Sequence, residues 1–110
     1  MKTAKLDSEA QTELRQAAAW YKERSPKIAR RFLTEVRALA QLIAKTPLRF
    51  PVLLEPELRL PVRRALVPGF PYALVFLIAD DAVHILAIAH QHRMPGYWLH
   101  RVRLDNAAYR

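Results

Sequence analysis

Residues 72–90 read YALVFLIADDAVHILAIAH. Two apolar runs of strand length flank Asp80 and Asp81, and an acidic pair between such runs marks a turn. The first run, YALVFLIA, is apolar on both faces, as a central strand must be when each side of its sheet is covered. The second, AVHILAIAH, has the same character, so the stretch predicts a buried antiparallel hairpin. Upstream, Pro68 and Gly69 mark another turn. Before them, ELRLPVRRAL (57–66) alternates Leu58, Leu60 and Val62 with Arg59, Pro61 and Arg63, as a half-buried strand does. The alternation fails at Arg64, which falls on the apolar side, and Pro61 places this strand at an edge or a bulge. The three strands form an antiparallel meander over residues 57–92, and MKTAKL (1–6) either adds a fourth, edge strand or stays loose.

The preceding third of the chain has a helical period. Ser8 and Gln11 match a capping box, and Ala10, Leu14, Ala17 and Tyr21 recur at spacings of three and four up to about Arg24. Trp20 falls beside that stripe. Ser25 then caps a second helix with Pro26 at its first position, where a missing N–H costs nothing. Ile28, Phe32, Val36, Leu39 and Ile43 form its core stripe, and it stops before Pro47. A helix hairpin over residues 8–45 is expected. The second helix is also apolar at Ala29, Leu33 and Ala40. So wide a face either sinks deeply into its own domain or lies partly under a partner helix. Residues 46–56 read as a loop, and 96–110 as a short terminal helix or a basic tail. Helices first and sheet second give an α+β fold with the helices on one face.

A chain of 110 residues with 52% hydrophobic and 9% aromatic residues has room and material for one packed domain, residues 1–110. No apolar run reaches the roughly 18 residues of a membrane span, and the first residues lack a secretory signal, so a cytoplasmic protein is expected. The absence of cysteine excludes disulfides and thiolate metal sites. Eighteen Lys and Arg against ten Asp and Glu leave a formal charge of +8. That charge attracts nucleic acid, an anionic membrane or an acidic protein, or simply keeps the chain soluble.

Chemistry-bearing residues concentrate in AHQHRMPGYWLHR (89–101). Strand periodicity puts His84, Leu86, Ile88, His90 and His92 on one face. Two such imidazoles would need a third ligand, from His100 or an Asp, to hold a metal, and with no HExxH and no clustered carboxylates no metal is expected. Arg93, Tyr97 and Arg63 or Arg64 could converge on one side of the sheet. Arginine binds phosphate bidentately, tyrosine stacks or exchanges a proton, and histidine is an acid or base near neutral pH. Those are parts of a metal-independent ribonuclease and equally of a basic docking surface. No carboxylate or lysine near the cluster stands out as a general base, which favours docking. Trp98 reads as a plug over the core.

Four segments, AAAWYKERSPKIARRFLTEV (17–36), RFP (49–51), VRRALVPGFPYALVF (62–76) and AIAHQHRMPGYWLHR (87–101), in this order and spacing, resemble the RelE/ParE superfamily of type II toxin–antitoxin toxins. The likeness is greatest to its ParE-like branch, often called plasmid stabilisation proteins. The resemblance implies two N-terminal helices on an antiparallel sheet, a bacterial source, no cofactor, and a cognate ParD-like or related antitoxin forming a hetero-oligomer with the toxin. The apolar positions Ala29, Leu33 and Ala40, the flanking Trp20 and the positive charge would then receive an amphipathic, acidic antitoxin helix. RelE-like members cleave mRNA on the ribosome; ParE-like members inhibit DNA gyrase without a known catalytic site. By position, Arg64, Arg93 and Tyr97 correspond to the RelE-like arginines and C-terminal tyrosine. The RelE-like lysines have no counterpart, His90 and His92 stand there instead, and RMPGYW (93–98) is ParE-like. The resemblance therefore favours gyrase inhibition over an endoribonuclease. A non-toxic module that binds its antitoxin as co-repressor is a third possibility.

Overall fold

The computed structural model describes residues 3–53 and 61–102. The first half of the alternating stretch ELRLPVRRAL and the end of the expected tail, 103–110, lie outside them. Strand β1 (Thr3–Leu6) leads into helix α1 (Ser8–Arg24) and helix α2 (Pro26–Lys45). A short 3-10 turn (Pro47–Arg49) precedes β2 (Val62–Leu66), β3 (Tyr72–Ala79) and β4 (Ala82–His90), and a second 3-10 turn spans Leu99–Arg101. The strands form one sheet in the order β1-β4-β3-β2.

The central hairpin folds as its sequence predicts. Asp80 takes the left-handed region at φ 56° in the two-residue connection, a conformation Asp tolerates better than most residues. Val67–Phe70 close a turn in which Phe70 N–H donates to Val67 O at 3.3 Å. Gly69 supplies the φ of +79° that a type II turn needs after proline. The meander is antiparallel, but β1 joins it as a fourth strand parallel to β4, with Leu6 opposite Ile85. A strand so distant in sequence from its neighbour is free of the hairpin constraint that forces antiparallel pairing.

Ser25 alone links the helices, and its hydroxyl accepts from Ile28 N–H at 3.3 Å. The expected Ser8–Gln11 capping box does not form. Asp7 occupies the cap position in extended geometry, and Gln11 Nε2 donates back to Leu6 O at 3.0 Å, so the side chain clamps the end of β1 rather than the helix. On α2 the buried stripe runs Ala29, Phe32, Val36, Leu39 and Ile43. Ile28 was expected in it and is 43% exposed, because the stripe's phase passes through Ala29 and leaves Ile28 on its shoulder.

Both faces of the sheet are covered. Phe32, Val36 and Ile43 seal Leu74, Phe76 and Ile85 on the helix side. On the other side Trp98 closes over Val62, Val75, Leu77 and Leu86, with Tyr97, Leu99 and Val102 around it. Each fully buried side chain of this size contributes about 1.5–3 kcal/mol of transfer free energy. Among the described residues, no helix is long and apolar enough to cross a membrane.

Candidate functional site

Strand β4 changes character along its length. Phe76 pairs with Ile85 and Val75 with Ala87, so Leu86 is an extra residue with no partner on β3. Such a bulge turns two successive side chains to one side, and Leu86 and Ala87 both face the Trp98 layer. The single face expected for His84, Leu86, Ile88, His90 and His92 is therefore broken. His84 lies on the Leu86 side, whereas Ile88 and His90 face the helices, and His92 lies beyond the strand in the turn that follows it.

β1 stops opposite Ile85, so along the next stretch of β4 the edge away from β3 has no strand beside it among the described residues. Side chains take its place. Glu13 of α1 accepts from Ile88 N–H at 3.0 Å, and Arg101 Nη1 donates to Leu86 O at 3.0 Å. The same carboxylate accepts from Tyr97 Oη at 2.6 Å and from Arg101 Nη1 and Nη2 at 2.8 and 3.1 Å. This two-pronged contact is the strong form of an arginine–carboxylate pair. Glu9 lies 3.0 Å from Arg101 Nε and 3.3 Å from His100 Nε2. Glu13 and Arg101 are nearly buried, with side chains 12% and 9% exposed.

This network fixes the protonation of Tyr97. Burial, the hydrogen bond to Glu13 and that residue's charge together push the phenol well above its ordinary value, against the opposing pull of Arg101 and Arg93. For Arg101, burial works against the charge, but the bond to Glu13 and the charges of Glu13 and Glu9 outweigh it and raise the guanidinium's pKa. Both groups are held in the protonated form, with Tyr97 as donor to the Glu13 carboxylate.

Two adjoining clefts open beside this network. One, of about 370 Å³, lies between α1 and the strand ends and is walled by Glu13, Trp20, Tyr21, Tyr72, His90 and Arg93. The other, of about 300 Å³, lies below the 94–98 turn and is walled by Arg64, Leu66, Phe70, Tyr97 and Trp98, again with Tyr72, His90 and Arg93. Arg64, Arg93 and Tyr97 thus share one cleft, and the Arg93 guanidinium stacks 3.9 Å from the centre of the Tyr97 ring. Arg63 faces away and donates to Phe50 O. The His90 ring meets Tyr72 edge-on at 5.0 Å and His92 at 5.1 Å, and His90 Nδ1 accepts from His92 N–H at 3.0 Å. His100 is occupied with Glu9, and among the described residues no three His, Cys, Asp or Glu gather into a metal-binding group.

The residues assigned to an antitoxin face do not stay together. Trp20, 52% exposed, belongs to the first cleft and carries the Arg24 guanidinium 3.5 Å above its ring. Ala29 is a correction: it is 6% exposed, three residues before Phe32 in the buried stripe, and cannot lie under a partner. Ala40 is half-buried against the helix-side core, and Leu33 is exposed at 37%.

Glu13 and Arg101 were missed from sequence. The expectation of no carboxylate near the cluster is overturned by Glu13, although its hydrogen-bonding capacity is spent. A signal existed: Ala10, Glu13 and Ala17 follow one another at spacings of three and four, so Glu13 sits on the buried stripe of α1, where a charge demands a partner.

No curated protein matches the sequence significantly. Among solved structures, the fold resembles a chain of the chromosomal ParDE TA system from P. aeruginosa with a TM-score of 0.69. The likeness covers 82% of this chain and 96% of that one at 16% identity, and so speaks to the fold alone. The family model for the ParE toxin of the type II toxin–antitoxin system parDE matches residues 4–95. That span takes in both helices, strands β2 to β4, all but the first residue of β1, and Arg64, His90 and Arg93, and on it the chain belongs to the ParE toxin family.

Proposed function

We propose that this toxin acts in the cytoplasm as a non-catalytic inhibitor of DNA gyrase and is held in check by a cognate antitoxin. The observation that carries the reading is the 2.6 Å bond from Tyr97 Oη to Glu13. A ribonuclease of the RelE-like kind needs a tyrosine and basic groups free to move protons at a ribose hydroxyl. Here the Tyr97 hydroxyl, the one that corresponds by position to the RelE-like tyrosine, is committed to a carboxylate that already satisfies Arg101 and a backbone N–H. What remains at the clefts is a pair of arginines, His90 and aromatic rings, a surface suited to docking.

The antitoxin fits the exposed shoulders of α2. Leu33, 37% exposed, and the half-buried Ala40 line one shoulder, and Arg37 stands beside them in helical phase. An amphipathic acidic segment would cover the apolar positions and pair with Arg37. Purified toxin tested in parallel on gyrase supercoiling and cell-free translation decides between targets. Loss of supercoiling or trapped cleaved DNA, with translation intact, is expected. Arrested translation with cut mRNA would instead make Arg64, Arg93 and Tyr97 a catalytic set.

A further inference from the structure

The corner where the two helices meet holds half of the chain's net charge. Between residues 22 and 31 stand Lys22, Arg24, Lys27, Arg30 and Arg31 against Glu23 alone. Five cations less one carboxylate leave +4 of the formal +8, in ten of 110 residues. All six side chains are exposed. The one ion pair among them, Arg24 with Glu23, is long at 3.8 Å and solvent-screened, so it neutralises little. Like charges crowded this way oppose folding and persist where an anionic partner repays the cost.

We propose that this corner is a docking surface for the phosphate backbone of duplex DNA. Its composition separates that partner from an acidic protein. A protein interface has an apolar centre with charges at the rim. Here cations occupy the centre, and Ile28 is the one large aliphatic residue exposed among them. The start of α2 at Pro26 and the end of α1 at Arg24 meet in this corner, so their opposite partial charges largely offset and the positive surface is that of the side chains. Two arginines are held by rings: Arg24 lies 3.5 Å over Trp20 and also donates to Trp20 O at 2.8 Å, and Arg31 lies 5.5 Å from Phe70. Trp20 and Phe70 each wall one of the clefts that contain Arg93, so positive surface runs from the corner to the clefts. A backbone contact of this kind reads no sequence.

The proposal goes beyond the gyrase reading and is tested without gyrase. A fluorescein-labelled duplex of random sequence is titrated with the protein by anisotropy across a range of NaCl concentrations. Five phosphate contacts predict that log K falls with log salt at a slope of about −4.5. The triple variant Lys22→Gln, Lys27→Gln, Arg30→Gln removes charges that hold no aromatic contact. It should weaken binding at least about tenfold and flatten the slope by about 3. A control triple, Arg37→Gln, Lys45→Gln, Arg49→Gln, removes as many exposed cations elsewhere on the helical half and should keep most of the slope. Equal losses in the two triples, or no binding of the native protein at low salt, overturn the proposal. So does a corner triple that loses affinity for the antitoxin while binding DNA as before.

Discussion

Phe32, Val36 and Ile43 close one side of the sheet with hydrocarbon alone, whereas on the other side Trp98 and its flanking turn are held down by Glu13, Arg101 and Tyr97. The first cover is a sum of many small, replaceable contacts. The second depends on a few polar groups in a nearly dry setting, where each is expensive to leave unpaired. The helical half should therefore weaken by degrees, and the C-terminal segment should let go as a unit. The cleft that holds Arg64 and Arg93 lies against the part that is held by polar groups.

The largest effect should come from splitting the buried pair. Arg101→Leu leaves Glu13 with an uncompensated charge and should cost about 3–5 kcal/mol in urea unfolding. The double variant Glu13→Leu, Arg101→Leu should recover at least half of that loss. Two single losses that simply add would show that the residues do not act together. On the helix side, Ile43→Ala opens a cavity and should cost about 2–5 kcal/mol by calorimetry. If the two covers are independent, its loss adds to that of Arg101→Leu to within about 0.5 kcal/mol.

Smaller effects probe the surfaces. Leu33→Glu should weaken the antitoxin complex by about 1–2 kcal/mol in titration calorimetry and leave folding nearly unchanged. An unaltered affinity would move the antitoxin off this shoulder of α2. Tyr97→Phe should cost about 1 kcal/mol, the net worth of one hydrogen bond. It should also change the alkaline limb of stability. Because the folded phenol titrates above its ordinary value near 10, its contribution is complete below that pH and is lost as pH rises beyond it. The native protein should thus lose its advantage over Tyr97→Phe above pH 10, and a constant gap across that range would count against the Glu13 bond.

The helices, the Ser25 cap, the hairpin of β3 and β4 and the plug role of Trp98 are local or periodic features, and the sequence displays them. Other features depend on groups far apart in the chain. The parallel pairing of β1 with β4 joins residues about eighty positions apart, and no local pattern encodes it. The bulge at Leu86 leaves an unbroken apolar run unchanged to the eye, yet it moves His84 and His90 to opposite faces. Ile28 and Ala29 are neighbours, and one step of helical phase exchanges their burial. Glu13 was legible as a charge on an apolar stripe, but its partners Tyr97 and Arg101 lie more than eighty residues away.

The most direct test of the account is the potency of Tyr97→Phe beside the native toxin in the supercoiling and translation assays, at a temperature where both are folded. If Tyr97 holds the turn in place and performs no chemistry, the variant inhibits supercoiling within about twofold of native, since the phenyl ring still carries Arg93 and one bond of about 1 kcal/mol is lost from stability rather than from the target. A folded variant that has lost an mRNA-cleaving activity present in the native toxin would contradict the account and make the hydroxyl a catalytic group.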